Sequence, residues 1–344
     1  LDGGDEVVFI EAYAREVFEV ATTPKAKLAP GGAAALGAIP YVERIARRLG
    51  PAAAFERPLL YNNIGVSRLA AGDRAEARTW FARALEDTPA RDGSVELVAA
   101  VGNLALLTED VAERDRLFEI ERARLVALLG PNHVRTLEAA YKRAVFEQRP
   151  DRAAAQIRDA CQRLATYHAG EAVELRSRCS YELGYLAEER GDTAEAAAAM
   201  AQVDNARKPI ARAYLSAFAG QLADAAAQAR AAAAGFGAEW WTQLYVGDAL
   251  LFAASCHARL DHARDAIGLA RDALAAYAGI EQIRRAPYYQ RRLARARAML
   301  AHLLAPTDRA AAAALATDAL TWYRAVGGYE AVVTALAPLT AASR

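Results

Sequence analysis

The chain has 344 residues, with 42 basic and 42 acidic side chains and no net formal charge, which argues against a nucleic-acid coat or an anionic membrane surface as the default partner. Alanine dominates the apolar fraction, aromatics are 8% of the chain and β-branched runs are scarce, so the composition points to an all-helical fold and away from a sheet. Cys161, Cys179 and Cys256 are too few and too scattered for a disulfide framework and read as small buried residues.

The longest apolar runs are broken by charge well before the roughly 18 residues of a membrane span. No secretory signal is visible, so the expected compartment is cytoplasmic, and a chain that opens on Leu1 reads as a fragment of something longer or as a processed product. Only Lys25, Lys27, Lys142 and Lys208 among the basic residues are lysines. That arginine and alanine bias is the kind associated with a high-GC bacterial genome.

Residues 5–21 place Val8, Phe9, Ala12, Tyr13 and Val17 at helical spacing, with a polar side that is mostly acidic. A loop at 22–32 leads to a second helix at 33–49, and residues 1–57 read either as a degenerate first repeat or as a cap. From Pro58 to Pro89 the pattern sharpens. Leu60, Tyr61, Ile64, Gly65 and Leu69 share one helix face, Gly72-Asp73 breaks it, and Ala77, Trp80, Phe81, Ala84 and Leu85 restart it, which predicts two antiparallel helices on a tight turn. Gly65 and Ala77 lack bulk where the axes approach, and Phe81 supplies the volume between them.

This stretch resembles a tetratricopeptide repeat, in which an aromatic, Leu-Gly, Ala, Phe, Ala and Pro recur over about 34 residues. Tyr61, Ile64-Gly65, Ala77, Phe81, Ala84 and Pro89 stand in those places, with Arg68 where Tyr is usual. Looser versions follow. Residues 95–130 set Val101-Gly102 where Ile64-Gly65 stood and have a long, charged second helix. Leu129-Gly130-Pro131-Asn132-His133, followed by Thr136-Leu137, looks like the repeat junction of the kinesin-light-chain type, with Asn132 or Thr136 available to cap the next helix. Further pairs are expected at 133–168, at 171–205 with Gly184 and Ala196 in the family's places and Met200 where Phe is usual, around Gly220, at 238–277 and at 287–325. A last helix at 329–341 reads as a cap. The expected architecture is an all-α, right-handed α-solenoid of about seven such pairs: terminal helices at 1–57, the array at 58–326 and a capping segment at 327–344.

No nucleophile elbow, phosphate loop, HExxH, paired CxxC or calcium loop occurs, so the reading assigns no catalytic residue, no cofactor and no metal. His257 and His262 are five residues apart, about 140° around a helix, and so do not converge. Glu188-Glu189 reads as a solvated acidic face. What remains is binding surface. The resemblance implies that the first helix of each pair lines a concave groove, which places Asn62, Asn63, Val66, Asn103, Tyr181 and Tyr185 there. Asn side chains can hydrogen-bond an extended backbone in both directions. If a helix begins at Pro287, Arg291 and Arg295 share a face beside Tyr288 and could form a fork for a carboxylate or phosphate; such a run is otherwise a solvated face. The acidic first helix and this basic run also suggest self-association or docking on a parent chain. The function expected is a scaffold for a peptide or helix of a protein partner, without nucleic acid or membrane insertion. The alternative is a ligand sensor whose superhelix changes shape.

Overall fold

The computed structural model describes residues 56–70, 73–86, 95–167, 170–237, 240–280 and 286–340. Among them every regular element is a helix, and there are fifteen. The helices predicted at 5–21 and 33–49 lie outside the described residues. The chain divides into two compact units, Leu1–Pro131 and Asn132–Arg344.

In the first unit α1 (Glu56–Ala70) pairs with α2 (Arg74–Glu86), and α3 (Val95–Leu107) with α4 (Val111–Leu129); α2 packs on α3, and the two first helices α1 and α3 also touch. The Gly65 expectation holds. A methyl placed on Gly65 would lie 2.5 Å from the Phe81 ring, and Phe81 is fully buried. At Gly102 the filling group is the Glu121 carboxylate instead, so α4 buries Glu121 and Arg114 where the first pair buries Trp80 and Phe81.

The second unit holds α5 (Val134–Phe146) with α6 (Pro150–Leu164), α7 (Glu171–Glu189) with α8 (Thr193–Met200), α9 (Lys208–Phe218) with α10 (Leu222–Gly235), α11 (Trp240–Arg259) with α12 (Ala263–Ala278), and α13 (Pro287–Leu304) with α14 (Arg309–Val326). Finally, α15 (Glu330–Thr340) packs on α13 and α14. Within this unit each helix packs on the next, as expected of a helical-repeat array. The Ala-rich α10 packs closely along one side only, through Ala225, Ala226, Ala229, Ala232 and Ala233. Met200 fills the space over Gly184 and Tyr277 the space over Gly247, so one packing device recurs with four different side chains.

The turns within pairs share a second device. The N–H of Asp73, Asp192, Gln221 and His262 each donates to the carbonyl five residues earlier, on Arg68, Ala187, Ser216 and His257, at 2.9 to 3.0 Å. This is the Schellman closure of a helix, which needs a residue in the left-handed region just before the donor. Gly191 and Gly220 supply it at φ 77° and 82°, and Asp261 supplies it at φ 60°. At the predicted junction Gly130 ends α4 with φ 86°, while α5 is capped by His133, whose ring accepts from the Arg135 N–H at 3.2 Å. The cap is thus His133 and neither of the two residues expected. Thr136 is buried inside α5, and Asn132 accepts from Arg163.

In the second unit the first helices form an inner row. Within it α5 touches α7, α9 touches α11, α11 touches α13, and α13 returns to touch α5.

Candidate functional site

Between the two first helices of the first unit, the Asn103 amide donates to the Asn62 side-chain oxygen at 2.9 Å and so ties α3 to α1. Asn62 and Asn63 are nearly buried, whereas Val66, one turn beyond Asn62, is 44% exposed. The structure therefore brings Asn62, Asn103 and Val66 to one neighbourhood, with the apolar side chain facing outward.

The inner face of the second unit is built differently, around Arg292. Helix α13 starts at Pro287, where the missing N–H costs nothing, and its period sets Tyr288, Arg291, Arg292 and Arg295 on one side. On α7 the same period aligns Tyr181, Glu182, Tyr185, Glu188 and Glu189. On α11, Asp248 follows the glycine over which Tyr277 packs. The Arg292 Nε donates to both Asp248 oxygens at 2.8 and 3.1 Å, and Nη2 donates to both Glu182 oxygens at 2.8 and 3.0 Å. The Tyr277 and Tyr181 hydroxyls donate to the two Asp248 oxygens at 2.7 and 3.0 Å. Arg292 is fully buried. Burial works against its charge, but the Asp248 and Glu182 carboxylates outweigh burial and hold its pKa well above the ordinary value. For Tyr181 and Tyr277, burial first and the Asp248 charge second push the phenols well up, so both remain neutral donors.

The neighbouring arginines extend the cluster. Arg295 pairs with Glu188, and the guanidiniums of Arg292 and Arg295 lie 4.5 and 4.8 Å from the centre of the Tyr185 ring. Arg291 donates to the Glu147 and Gln148 carbonyls at 2.9 and 3.3 Å, capping the end of α5. The Tyr288 ring meets Phe146 edge-on at 5.2 Å. Glu189 differs. Its carboxylate is enclosed without a hydrogen-bond partner among the described residues, as is the Tyr185 hydroxyl. Burial raises the Glu189 pKa despite the nearby charges of Arg295 and Arg291.

Tyr181, Tyr185, Arg291 and Arg295 are thus brought together, but in the interior: the first three are 0%, 1% and 2% exposed. The run read as a solvated face is buried, and the carboxylate that meets the Arg295 fork belongs to the chain's own Glu188. The acidic pair Glu188-Glu189 likewise faces α13 and not solvent. Asp248 is the residue that sequence reasoning missed altogether. A lone aspartate in an apolar helix beside a packing glycine is the one local sign of it.

The histidines also depart from expectation. Helix α11 ends at Arg259 and the Schellman turn reverses the chain, so the angle around a continuous helix does not apply. The His257 and His262 Nδ1 atoms are 3.4 Å apart.

What the fold and these two faces define is an all-helical array of repeated helix pairs. No family model matches the chain, and no curated protein matches it. Among solved structures the chain is similar to a Rap protein crystallised in complex with competence and sporulation factor, at 15% identity and a TM-score of 0.45, over 73% of this chain and 77% of that one. Among the described residues no helix is long and apolar enough to cross a membrane.

Proposed function

We propose that the chain is a protein-interaction scaffold, not an enzyme, which takes an extended peptide or a helix of a partner protein on the face formed by successive first helices. It serves as a regulatory module of a larger signalling protein in a bacterial cytoplasm, with a repeat junction of the kinesin-light-chain type at 129–137. The observation that supports this reading is the inner face of the first unit. There the Asn62–Asn103 hydrogen bond joins consecutive first helices beside the exposed Val66, a polar ladder with an apolar contact of the kind an extended backbone can engage.

The test is retention of native-lysate proteins by the chain, by V66D and by the double variant N62A/N103A, read by quantitative mass spectrometry. Val66 is exposed, so V66D should keep the native circular dichroism and melting temperature while losing the retained partner. Equal retention by all three forms would defeat the reading.

A second reading is favoured by the Arg292 cluster. Helix α13 is held to α5, α7 and α11 by its three arginines, and the enclosed Glu189 and Tyr185 groups keep polar capacity that no described residue uses. A sensor would bind a polar ligand there and change the spacing of the inner helices. Scattering measurements separate the two, since a scaffold keeps its radius of gyration on binding and a sensor does not.

A further inference from the structure

The turn between α11 and α12 holds a group of side chains that neither reading uses. His257 in the last turn of α11, His262 at the N-cap of α12 and Asp265 in the first turn of α12 each offer one ligand atom, and these atoms lie within 4.8 Å of one another. We propose that His257, His262 and Asp265 form a site for a divalent transition-metal cation of the Zn²⁺ class, with two imidazoles and one carboxylate as protein ligands.

The backbone brings the ligands together. In a Schellman turn the residue whose N–H closes the longer bond returns to the residue whose carbonyl accepts it. Here those residues are His262 and His257, linked at 3.0 Å. The equivalent positions of the first pair are Arg68 and Asp73, whose side chains form an ion pair at 3.8 Å, so this position already serves for side-chain pairing elsewhere in the chain. The spacing also suits a metal. Two nitrogens each about 2.0 to 2.1 Å from a tetrahedral zinc are about 3.4 Å apart, and the two Nδ1 atoms are 3.4 Å apart. That is longer than a good hydrogen bond between two rings. Asp265 Oδ2 is 4.0 Å from His257 Nδ1 on an exposed side chain, so a small rotation completes the third bond and leaves a fourth position for water.

The side chain at this turn is free of a capping duty. Asp73, Asp192 and Asp308 accept at their N-caps from the backbone N–H three residues on, whereas His262, like Gln221, makes no side-chain cap. The left-handed position occupied by glycine in two other turns is Asp261 here. The ligand donors are imidazole and carboxylate only. The adjacent Cys256 is buried and packs in the apolar core of the second unit, away from the three converging atoms.

The test is titration calorimetry of Zn²⁺ into the metal-stripped full chain, with H262S, H257A and D265N as variants and Mg²⁺ as the hard-cation control. H262S supplies a capping hydroxyl, so it should fold at least as well as the parent while losing the imidazole. The expected result is a saturable site in the parent that H262S and H257A weaken by at least about tenfold, since even outer-shell partners of metal ligands cost that much. D265N should give a smaller loss, and Mg²⁺ no saturation. Zn²⁺ should also raise the melting temperature of the parent and not that of H262S. The proposal is overturned if the parent shows no saturable Zn²⁺ binding at micromolar concentrations, or if H262S binds as the parent does.

Discussion

The two units use the same helix pairs and put opposite chemistry on their first helices. In the first, a neutral hydrogen bond between Asn62 and Asn103 ties α1 to α3, and Val66 stays exposed. In the second, three first helices, α7, α11 and α13, meet at Arg292, Arg291 reaches α5, and the face is filled by carboxylates, tyrosines and guanidiniums. The device that sets helix spacing, a glycine beneath a large side chain, is present in both. Pair packing therefore sets the spacing of the first helices, and the residues along them decide how much of that surface the chain spends on itself.

Removing Arg292 should separate the units most sharply. R292A leaves Asp248 and Glu182 as buried charges without their cation, a change worth about 3–5 kcal/mol. R292K keeps the charge but not the two-pronged fork and should recover only part of the loss. Because the second unit holds this cluster, denaturant unfolding of R292A should show an early transition in residues 132–344 while hydrogen exchange in α1 to α4 stays unchanged. Uniform loss of protection in both units would break the distinction.

The glycine series comes next, at about 1–3 kcal/mol for overpacking. G247A should cost most, because the new methyl would sit 2.3 Å from the Tyr277 ring and Tyr277 also holds Asp248. G65A should cost less, with a methyl 2.5 Å from the Phe81 ring and no charge attached. G184A should cost least. Its nearest neighbour is the Met200 methyl at 2.9 Å, on a side chain that can swing aside. Midpoints of urea unfolding give the order directly.

This series also marks how far the sequence could be read. The helix pairs, their turns and the Gly65–Phe81 and Gly184–Met200 contacts are local patterns, set by spacing within about 20 residues. The Arg292 cluster joins positions 110 and 44 residues apart, and helix periodicity says which residues share a face without saying what lies opposite. Arg291, Arg292 and Arg295 thus looked like a solvated run, although the acidic side of α7 carries the matching stripe. The histidine pair was missed for another reason. A helical angle was carried through residues where the helix has already ended. The Asn62 and Asn103 positions came only from the resemblance, and their hydrogen bond from the structure.

A smaller effect is expected at that bond. N103A removes one neutral hydrogen bond and leaves the Asn62 oxygen without it, at about 1 kcal/mol. The loss should appear in the unfolding of the first unit, with the second unit unaffected. An unchanged midpoint would show that the ladder joins α1 to α3 in name only.

The smallest effect, and the most specific to the second unit, concerns Glu189. Its carboxyl pKa is raised by burial above the ordinary value of 4.5, so in the window above that value the folded chain holds a proton that the unfolded chain has released. Stability then falls as pH rises through the window, because the unfolded state binds fewer protons there. The stabilising contribution of the protonated form is fully present below the ordinary carboxylate value and is lost as pH climbs through the raised one. E189Q has the shape of the protonated acid at every pH, so the two chains should be nearly equal in stability near pH 4, with the glutamine form gaining steadily above pH 5. Taking the difference between the two chains cancels other groups that titrate in this range, such as Glu138, whose pKa is lowered: burial works against that shift, but Lys142 and Arg178 outweigh it. A difference that stays flat, or turns in favour of the glutamate, would mean that Arg291 and Arg295 already compensate the charge. The interior of the second unit would then be a finished ion-pair network, with no polar capacity left for a ligand.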